Sequence, residues 1–163
     1  MDRKGPVQFL DYLKNANSPA KLLEFSGSVH SVEGAAKELG TDPAAAIKTL
    51  IFISDDKRAV AAIIPGQCKG DRKKIEAACG CKLHFASPEE ALAFIGYAVG
   101  GTPPVGNHAS IVIIDPQVIA RTTDSFGGGG DDRHLLKISS AELARLNPGA
   151  LVIDVSKDQS ALA

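Results

Sequence analysis

Hydrophobic and polar positions follow two periods along the chain. In "VQFLDYLKNA" apolar residues stand at Val7, Leu10 and Leu13, with Phe9 and Tyr12 beside them, which is helical spacing. "SVEGAAKELG" predicts a second helix, capped by Ser31 and stopped by Gly40. In "TDPAAA", Asp42 caps and Pro43 occupies the first position of a short helix. The period then shortens. "IKTLIFIS" (47–54) is dense in β-branched and aromatic residues, "DDKR" turns, and "AVAAIIP" returns as its hairpin partner. "KLLEF" (21–25) and "KLHF" are short strand candidates. "KGDRKKIEAACG" predicts a helix with a charged outer face. "SPEEALAFIGY" predicts another, with Ser87, Pro88 and Glu90 forming a capping box. "SIVIIDP" (110–116) is apolar enough for a buried central strand, and "VIARTTDSF" reads as an outer strand. "HLLKIS", the helix "SAELARLNPG" and a final strand "LVIDVS" complete the chain. About seven strands and five helices result, with hairpins among helical crossovers. The expected fold is α/β of the α+β kind: one mixed, largely antiparallel sheet with flanking helices.

Composition narrows this picture. At 163 residues, 44% hydrophobic and 23% charged, the chain is long enough to bury a core without disulfide or metal staples. No window approaches the ~18 apolar residues of a membrane span, and "MDRKGPVQFLDYLK" lacks a signal-peptide core; a cytoplasmic protein is expected. Lys and Arg number 18 against 19 acidic residues, net −1, which argues against a wide surface tracking DNA or bulk RNA. Contact with the end of a nucleic acid is compatible with that balance. Three cysteines, Cys68, Cys79 and Cys81, make a disulfide framework unexpected. Cys79, Cys81 and His84 form C-x-C-x-x-H, which lacks the C-x₂₋₄-C spacing and the fourth ligand of a structural zinc site; no metal or other cofactor is expected.

Neither G-x-G-x-x-G nor G-x-x-x-x-G-K-[ST] occurs, and Asp131 and Asp132 come directly after the glycines at 127–130, so a nucleotide triphosphate site is not expected. G-x-S-x-G is absent as well. The candidate chemistry lies elsewhere. "GYAVGGTPPVGNH" sets Gly100 and Gly101 against Thr102, Pro103 and Pro104, then adds Gly106. Glycine lets backbone approach a ligand and proline stiffens the residues beside it, so the loop suits fixed N–H donors for an oxyanion. It equally suits a plain helix stop. Lys48 interrupts an apolar run, either as an edge lysine or as a cation for a phosphate or ester. "DSFGGGGDDRH" reads as a linker or as a mobile wall over a pocket, with His134 at its far edge. His30, His108 and His134 each read first as structural.

Taken in order, "HSVEGAAKELGTDPAAAIKTLIF", a hairpin, "DRKKIEAACG", "GYAVGGTPPVG" and a Gly-rich loop before a strand resemble the YbaK/ProX family, free-standing relatives of the prolyl-tRNA synthetase editing domain. The resemblance runs from about residue 20 to the final strand, and implies one editing-type domain over 1–163 with 1–20 as a helical extension. It implies trans-editing: hydrolysis of the ester joining a wrong, small amino acid to a tRNA, with no metal. Such sites exist because a synthetase pocket discriminates poorly between near-isosteric amino acids. In the family the lysine matched by Lys48 positions substrate, and the Gly-x-x-x-Pro backbone at Gly100, Gly101 and Thr102 meets the aminoacyl carbonyl. Thr49, Pro103, Pro104, Gly106, Gly128, Gly129, Gly130 and His134 are the implied binding residues. The implied partners are the acceptor end of mischarged tRNA, tRNA-Pro or a related one, and a synthetase; DNA and membrane are not. The chain departs from the cysteine-removing members, which carry an aspartate where "RHLLK" stands here. It departs from an alanine-removing relative, which has Lys-Asn where Lys48-Thr49 stands. The competing expectation is a non-catalytic module binding an aminoacyl group, a free amino acid or a partner protein. Within the loop, Gly101→Val is expected to abolish hydrolysis by blocking the carbonyl's approach, whereas Thr102 is expected to be replaceable.

Overall fold

The computed structural model describes residues 3–27 and 32–158; Ser31 and His30 lie outside the described residues. The strand pattern at 47–65 folds as its alternation dictates. β2 (Ile47–Ser54) and β3 (Ala59–Pro65) form an antiparallel hairpin in register from Ile47↔Pro65 to Ile53↔Ala59. Successive side chains point to opposite faces. Ile47, Ile51 and Ile53 therefore enter one core, while Phe52, with Leu50 packed alongside, enters a second with Val60, Ala62 and Ile64. Each fully buried Ile or Phe contributes on the order of 1.5–3 kcal/mol. β5 (Leu83–Phe85) pairs antiparallel with the outer edge of β2. β6 (Ile111–Ile114) runs parallel to β3, and β9 (Leu151–Val152) parallel to β6.

Ten strands form among the described residues, and they divide into three sheets rather than one sheet of about seven. The five-stranded sheet has the order β5-β2-β3-β6-β9. β1 (Lys21–Glu24), β8 (His134–Ile138) and β7 (Ser125–Gly128) make a separate antiparallel sheet. β4 (Cys68–Gly70) and β10 (Ser156–Asp158) make a two-stranded ribbon. The α+β class and the mixed pairing match the sequence expectation.

Two strand expectations fail: "LVIDVS" breaks after Val152, so that β9 (Leu151–Val152) and β10 (Ser156–Asp158) belong to different sheets, and the other fails for a local reason. "VIARTTDSF" is not one strand: Asp115 accepts the Gln117 N–H at 3.0 Å and Pro116 opens a short helix, α5 (Pro116–Ile119), so strand β7 begins only at Ser125. Asp-Pro is an N-cap and first-turn pair, and here that local chemistry prevails over the apolar run. In α1 (Pro6–Asn15) the buried residues are Phe9 and Leu13, while Val7 is 69% and Leu10 38% exposed. Phe9 turns inward because Tyr97 meets it edge-on at 6.5 Å, a favoured aromatic geometry.

The remaining helices start and stop as their ends dictate. α2 (Val32–Leu39) leads into a 3₁₀ turn (Pro43–Ala45) capped by Asp42. α3 (Arg72–Cys79) ends on Gly80 in the left-handed region, φ 71°. α4 (Pro88–Phe94) carries the full Ser87–Glu90 capping box. The Glu90 carboxylate also holds the His84 ring at 2.9 Å, and burial with the neighbouring Cys81 pushes the Cys79 thiol up to about 11. No helix of the described residues is long and apolar enough to cross a membrane.

α6 (Ser140–Arg145) is tied to the N-terminal region through Glu142, which is buried. Its carboxylate pairs with Arg145 and accepts the Ser18 hydroxyl at 2.6 Å. The Arg145 bond outweighs desolvation and, with Ser18, holds the carboxyl below its ordinary pKa. A depressed pKa gives stability that is complete above the unfolded value and lost as pH falls through the folded one. Glu142→Gln should therefore melt lower than wild type at pH 7, and the two curves should converge as pH drops below the ordinary value of 4.5. Melting temperatures across pH 3–7 check this.

Candidate functional site

A cavity of about 290 Å³ opens beside the first half of β2. Its walls come from β2 and the residue before it (Ala46–Ile51), the loop at Val99, Gly100 and Thr102, β7 (Phe126, Gly127, Gly128), Leu135 of β8, the Phe85–Ala86 corner, and the helix residues Ala35 and Ala91. Most of the lining is apolar, and Lys48, Thr49 and Thr102 supply its polar side chains. Among the described residues, no carboxylate, histidine or cysteine belongs to the wall. Val99 and Phe85 stand at its rim, 63% and 58% exposed.

Lys48 pairs in register with Ile64 and Thr49 with Ile63, so the two leave β2 on opposite faces, and both border the cavity because β5 pairs only with Phe52–Ser54 and leaves this stretch of the edge open. Among the described residues the Lys48 ammonium has neither an ion pair nor a hydrogen bond. Burial lowers its pKa; the nearby Cys68 opposes that shift and Lys69 adds to it. A half-buried cation without a counter-ion is poised for an anion or a polarised ester.

The glycine loop is held from behind by side chains that sequence reasoning missed. Asn107, 2% exposed, donates its amide to the Pro103 carbonyl at 3.0 Å and accepts the Ala109 N–H. Asn147 donates to the Pro104 carbonyl at 3.0 Å. Arg121 donates to the Ala45 and Ala46 carbonyls and to the Ser125 hydroxyl at 2.9–3.1 Å, clamping the entry of β2 to β7. The signal available in sequence was weak: polar residues flanking loops, with partners as far as 76 positions away.

Within the tetraglycine, Gly127 and Gly128 belong to strand β7 and to the cavity wall, and Gly129 and Gly130 lead into a tight turn. A Cβ on Gly128 would lie 2.3 Å from the Thr102 carbonyl oxygen, and one on Gly101 would lie 2.9 Å from the Asp131 backbone. The Gly130 N–H donates to the Gly101 carbonyl at 2.8 Å, clasping the two loops. Gly101 is buried, donates its own N–H to Ala98 and takes no part in the cavity wall. A side chain there would separate two backbones rather than obstruct the cavity, which corrects the reason expected for Gly101→Val. Gly100 is the exposed member, at φ 90° with open space beside it. The N–H groups of Gly100 and Thr102 have no acceptor among the described residues.

Of the sequence-derived site residues, Lys48, Thr49, Gly100, Thr102 and Gly128 converge on this cavity. Gly101, Pro103, Pro104, Gly129, Gly130 and His134 lie outside its wall, as does Gly106, whose Cα faces the Tyr12 ring. His134 Nδ1 lies 2.7 Å from Asp131 Oδ1, and its neighbour Leu135, not His134, reaches the cavity. Desolvation pushes the Asp131 carboxyl up, but the bonds from His134 and from the Arg133 N–H outweigh it and keep it below the ordinary value.

Comparison with known proteins bears on the family and the fold. Residues 26–146 match the model of the aminoacyl-tRNA editing domain. The chain is 29% identical over 143 residues to the uncharacterized protein YwhH of Bacillus subtilis, covering 87% of this chain and 90% of that one. It is 34% identical over 112 residues to the proline–tRNA ligase of Solidesulfovibrio magneticus, where the match covers 67% of this chain and only 19% of the ligase. A crystal structure of a candidate trans-editing enzyme for prolyl-tRNA synthetase superimposes with a TM-score of 0.83 at 26% identity, covering 93% of this chain and 97% of that one. The match over 26–146 and the shared fold establish that the chain belongs to the aminoacyl-tRNA editing domain family, as the resemblance of its loops and of Lys48 implied.

Proposed function

We propose that the protein is a cytoplasmic trans-editing hydrolase that cleaves the ester of mischarged aminoacyl-tRNA bearing a small amino acid, on tRNA-Pro or a related tRNA. The observation that carries this reading is the convergence of an unpaired Lys48 and two unpaired loop amides, those of Gly100 and Thr102, on one small apolar cavity among the described residues. The family membership supports a tRNA-linked substrate.

In this reading the amino-acid side chain enters the apolar walls around Ile47, Ile51 and Phe126. Lys48 holds the terminal nucleotide through a phosphate or ester oxygen. Water adds to the aminoacyl carbonyl, and its oxygen, now an anion, accepts hydrogen bonds from the Gly100 and Thr102 N–H groups. Removing one donor of this kind typically costs about 10²–10³ in rate. The C–O ester bond then breaks, the free amino acid leaves, and the tRNA 3′ oxygen takes the proton. Among the described residues the wall holds no carboxylate, imidazole or thiol, so proton transfer falls to water and the substrate's own hydroxyl or amine.

A panel of tRNAs mischarged with alanine, cysteine, serine or threonine tests this by following loss of the aminoacyl group. Accelerated hydrolysis of at least one ester is expected. Binding of amide-linked analogues by a folded protein that turns over no ester would leave the non-catalytic module as the reading.

A further inference from the structure

The β4–β10 ribbon carries a charge arrangement that folding alone does not favour. Lys69 and Lys157 are directly opposed in its register. Residues so opposed have Cβ atoms about 4.5–5.5 Å apart, and like charges there destabilise a sheet. Neither ammonium has an ion pair among the described residues. Arg72 and Lys73, exposed at the start of α3, are likewise unpaired there. Lys74 beside them is neutralised by Asp154 at 3.0 Å and donates to the Ser156 carbonyl, which fixes the start of α3 against β10. Two carboxylates of this region are accounted for: Asp71 caps α3 and Asp154 holds Lys74. A second opposed lysine pair provides a contrast. Lys21 faces Lys137 across β1 and β8, but there Asp124 lies 4.0 Å from the Lys137 ammonium.

The ribbon adjoins the cavity. Gly66, between β3 and β4, donates its N–H to the Ala46 carbonyl at 2.9 Å, two residues before Lys48. A Cβ on Gly70 would lie 2.6 Å from Leu50 and 3.9 Å from Phe52, so that side of the ribbon covers β2. Lys69 and Lys157, one position along, occupy the outer side.

We propose that this outer face of the ribbon, Lys69 and Lys157 continued by Arg72 and Lys73, is the track for the acceptor-stem phosphates of the tRNA whose 3′ end enters the cavity. The proposal rests on the tRNA reading of that cavity. It also reconciles that reading with a net charge of −1, because a few clustered cations grip a short stretch of phosphate without making the whole protein basic.

The test uses the full chain and an acceptor-stem minihelix ending in CCA with an amide-linked, non-hydrolysable alanine. Lys69→Glu/Lys157→Glu should weaken minihelix binding at least about tenfold at about 0.1 M salt, and should make the slope of log K against log salt shallower by about 1–2. Binding of the short probe 3′-alanylamino-adenosine should not change. Lys14→Glu/Lys21→Glu makes the same charge change at exposed positions elsewhere and should leave minihelix binding near wild type. If the glutamate pair fails to fold, Lys69→Gln/Lys157→Gln should show the same loss in smaller measure. Unchanged minihelix affinity and slope, or equal loss on both probes, overturns the proposal. Because the readout is binding, a protein that binds along this face but hydrolyses nothing would sink the deacylase reading and keep the track.

Discussion

Lys48→Ala is expected to slow deacylation by at least about 100-fold while moving the melting temperature by no more than about 2 °C. The two halves of this expectation have one cause. Lys48 is a half-buried cation with no partner among the described residues, and desolvation lowers its pKa. Removing it breaks no native bond and relieves some desolvation, so stability should hold. A charge kept without a counter-ion beside an apolar cavity has its use when a ligand arrives. Lys48→Arg should not restore full activity, because the planar guanidinium is larger and bonds in a fixed fork. Initial rates and thermal melts of the same preparations check both halves. A large fall in melting temperature would make Lys48 structural, and an unchanged rate would remove it from the site.

The second large effect belongs to the glycines. Gly128→Ala should destabilise the fold by about 3 kcal/mol or prevent folding, because its Cβ would sit 2.3 Å from the Thr102 carbonyl oxygen. Gly101→Val should behave alike, its Cβ meeting the Asp131 backbone at 2.9 Å. Gly100→Ala differs in kind. It meets open space, so its cost is the strain of φ 90°, about 1–2 kcal/mol. Its effect should fall mainly on rate, since the amide it displaces lies in the cavity wall. Denaturant midpoints of the three variants give the order, and equal destabilisation by all three would contradict this packing.

The parts of the fold legible in the sequence are those set by local chemistry. The alternation at 47–54 and 59–65 needs only the pleat and a turn, and both strands have the expected bounds. The caps at Asp42, Ser87 and Gly80 depend on neighbours within four residues. What was not legible depends on distant partners. The glycine strand separates into its own sheet because it runs flush against the Gly101–Thr102 backbone, a contact no periodicity encodes. Phe9 rather than Leu10 is buried in α1 because Tyr97 waits there.

The site shows the same division. Lys48, Thr49, Gly100, Thr102 and Gly128 were legible as chemistry-bearing residues and do share one cavity. Asn107, Asn147 and Arg121, which hold that cavity's frame, were not, because each acts on a carbonyl whose position only the folded chain reveals. His134 stood out as a histidine near glycines, and the fold turns it to Asp131 instead.

The central claim is that this cavity hydrolyses an aminoacyl ester on tRNA. Single-turnover loss of label from tRNA-Pro charged with each small amino acid, in excess protein, measures it most directly. First-order hydrolysis well above the spontaneous rate is predicted for at least one ester, with a rate at least about 100-fold lower for Lys48→Ala. Decay at the spontaneous rate on every ester, by protein shown to be folded and to bind the amide-linked analogue, would contradict it.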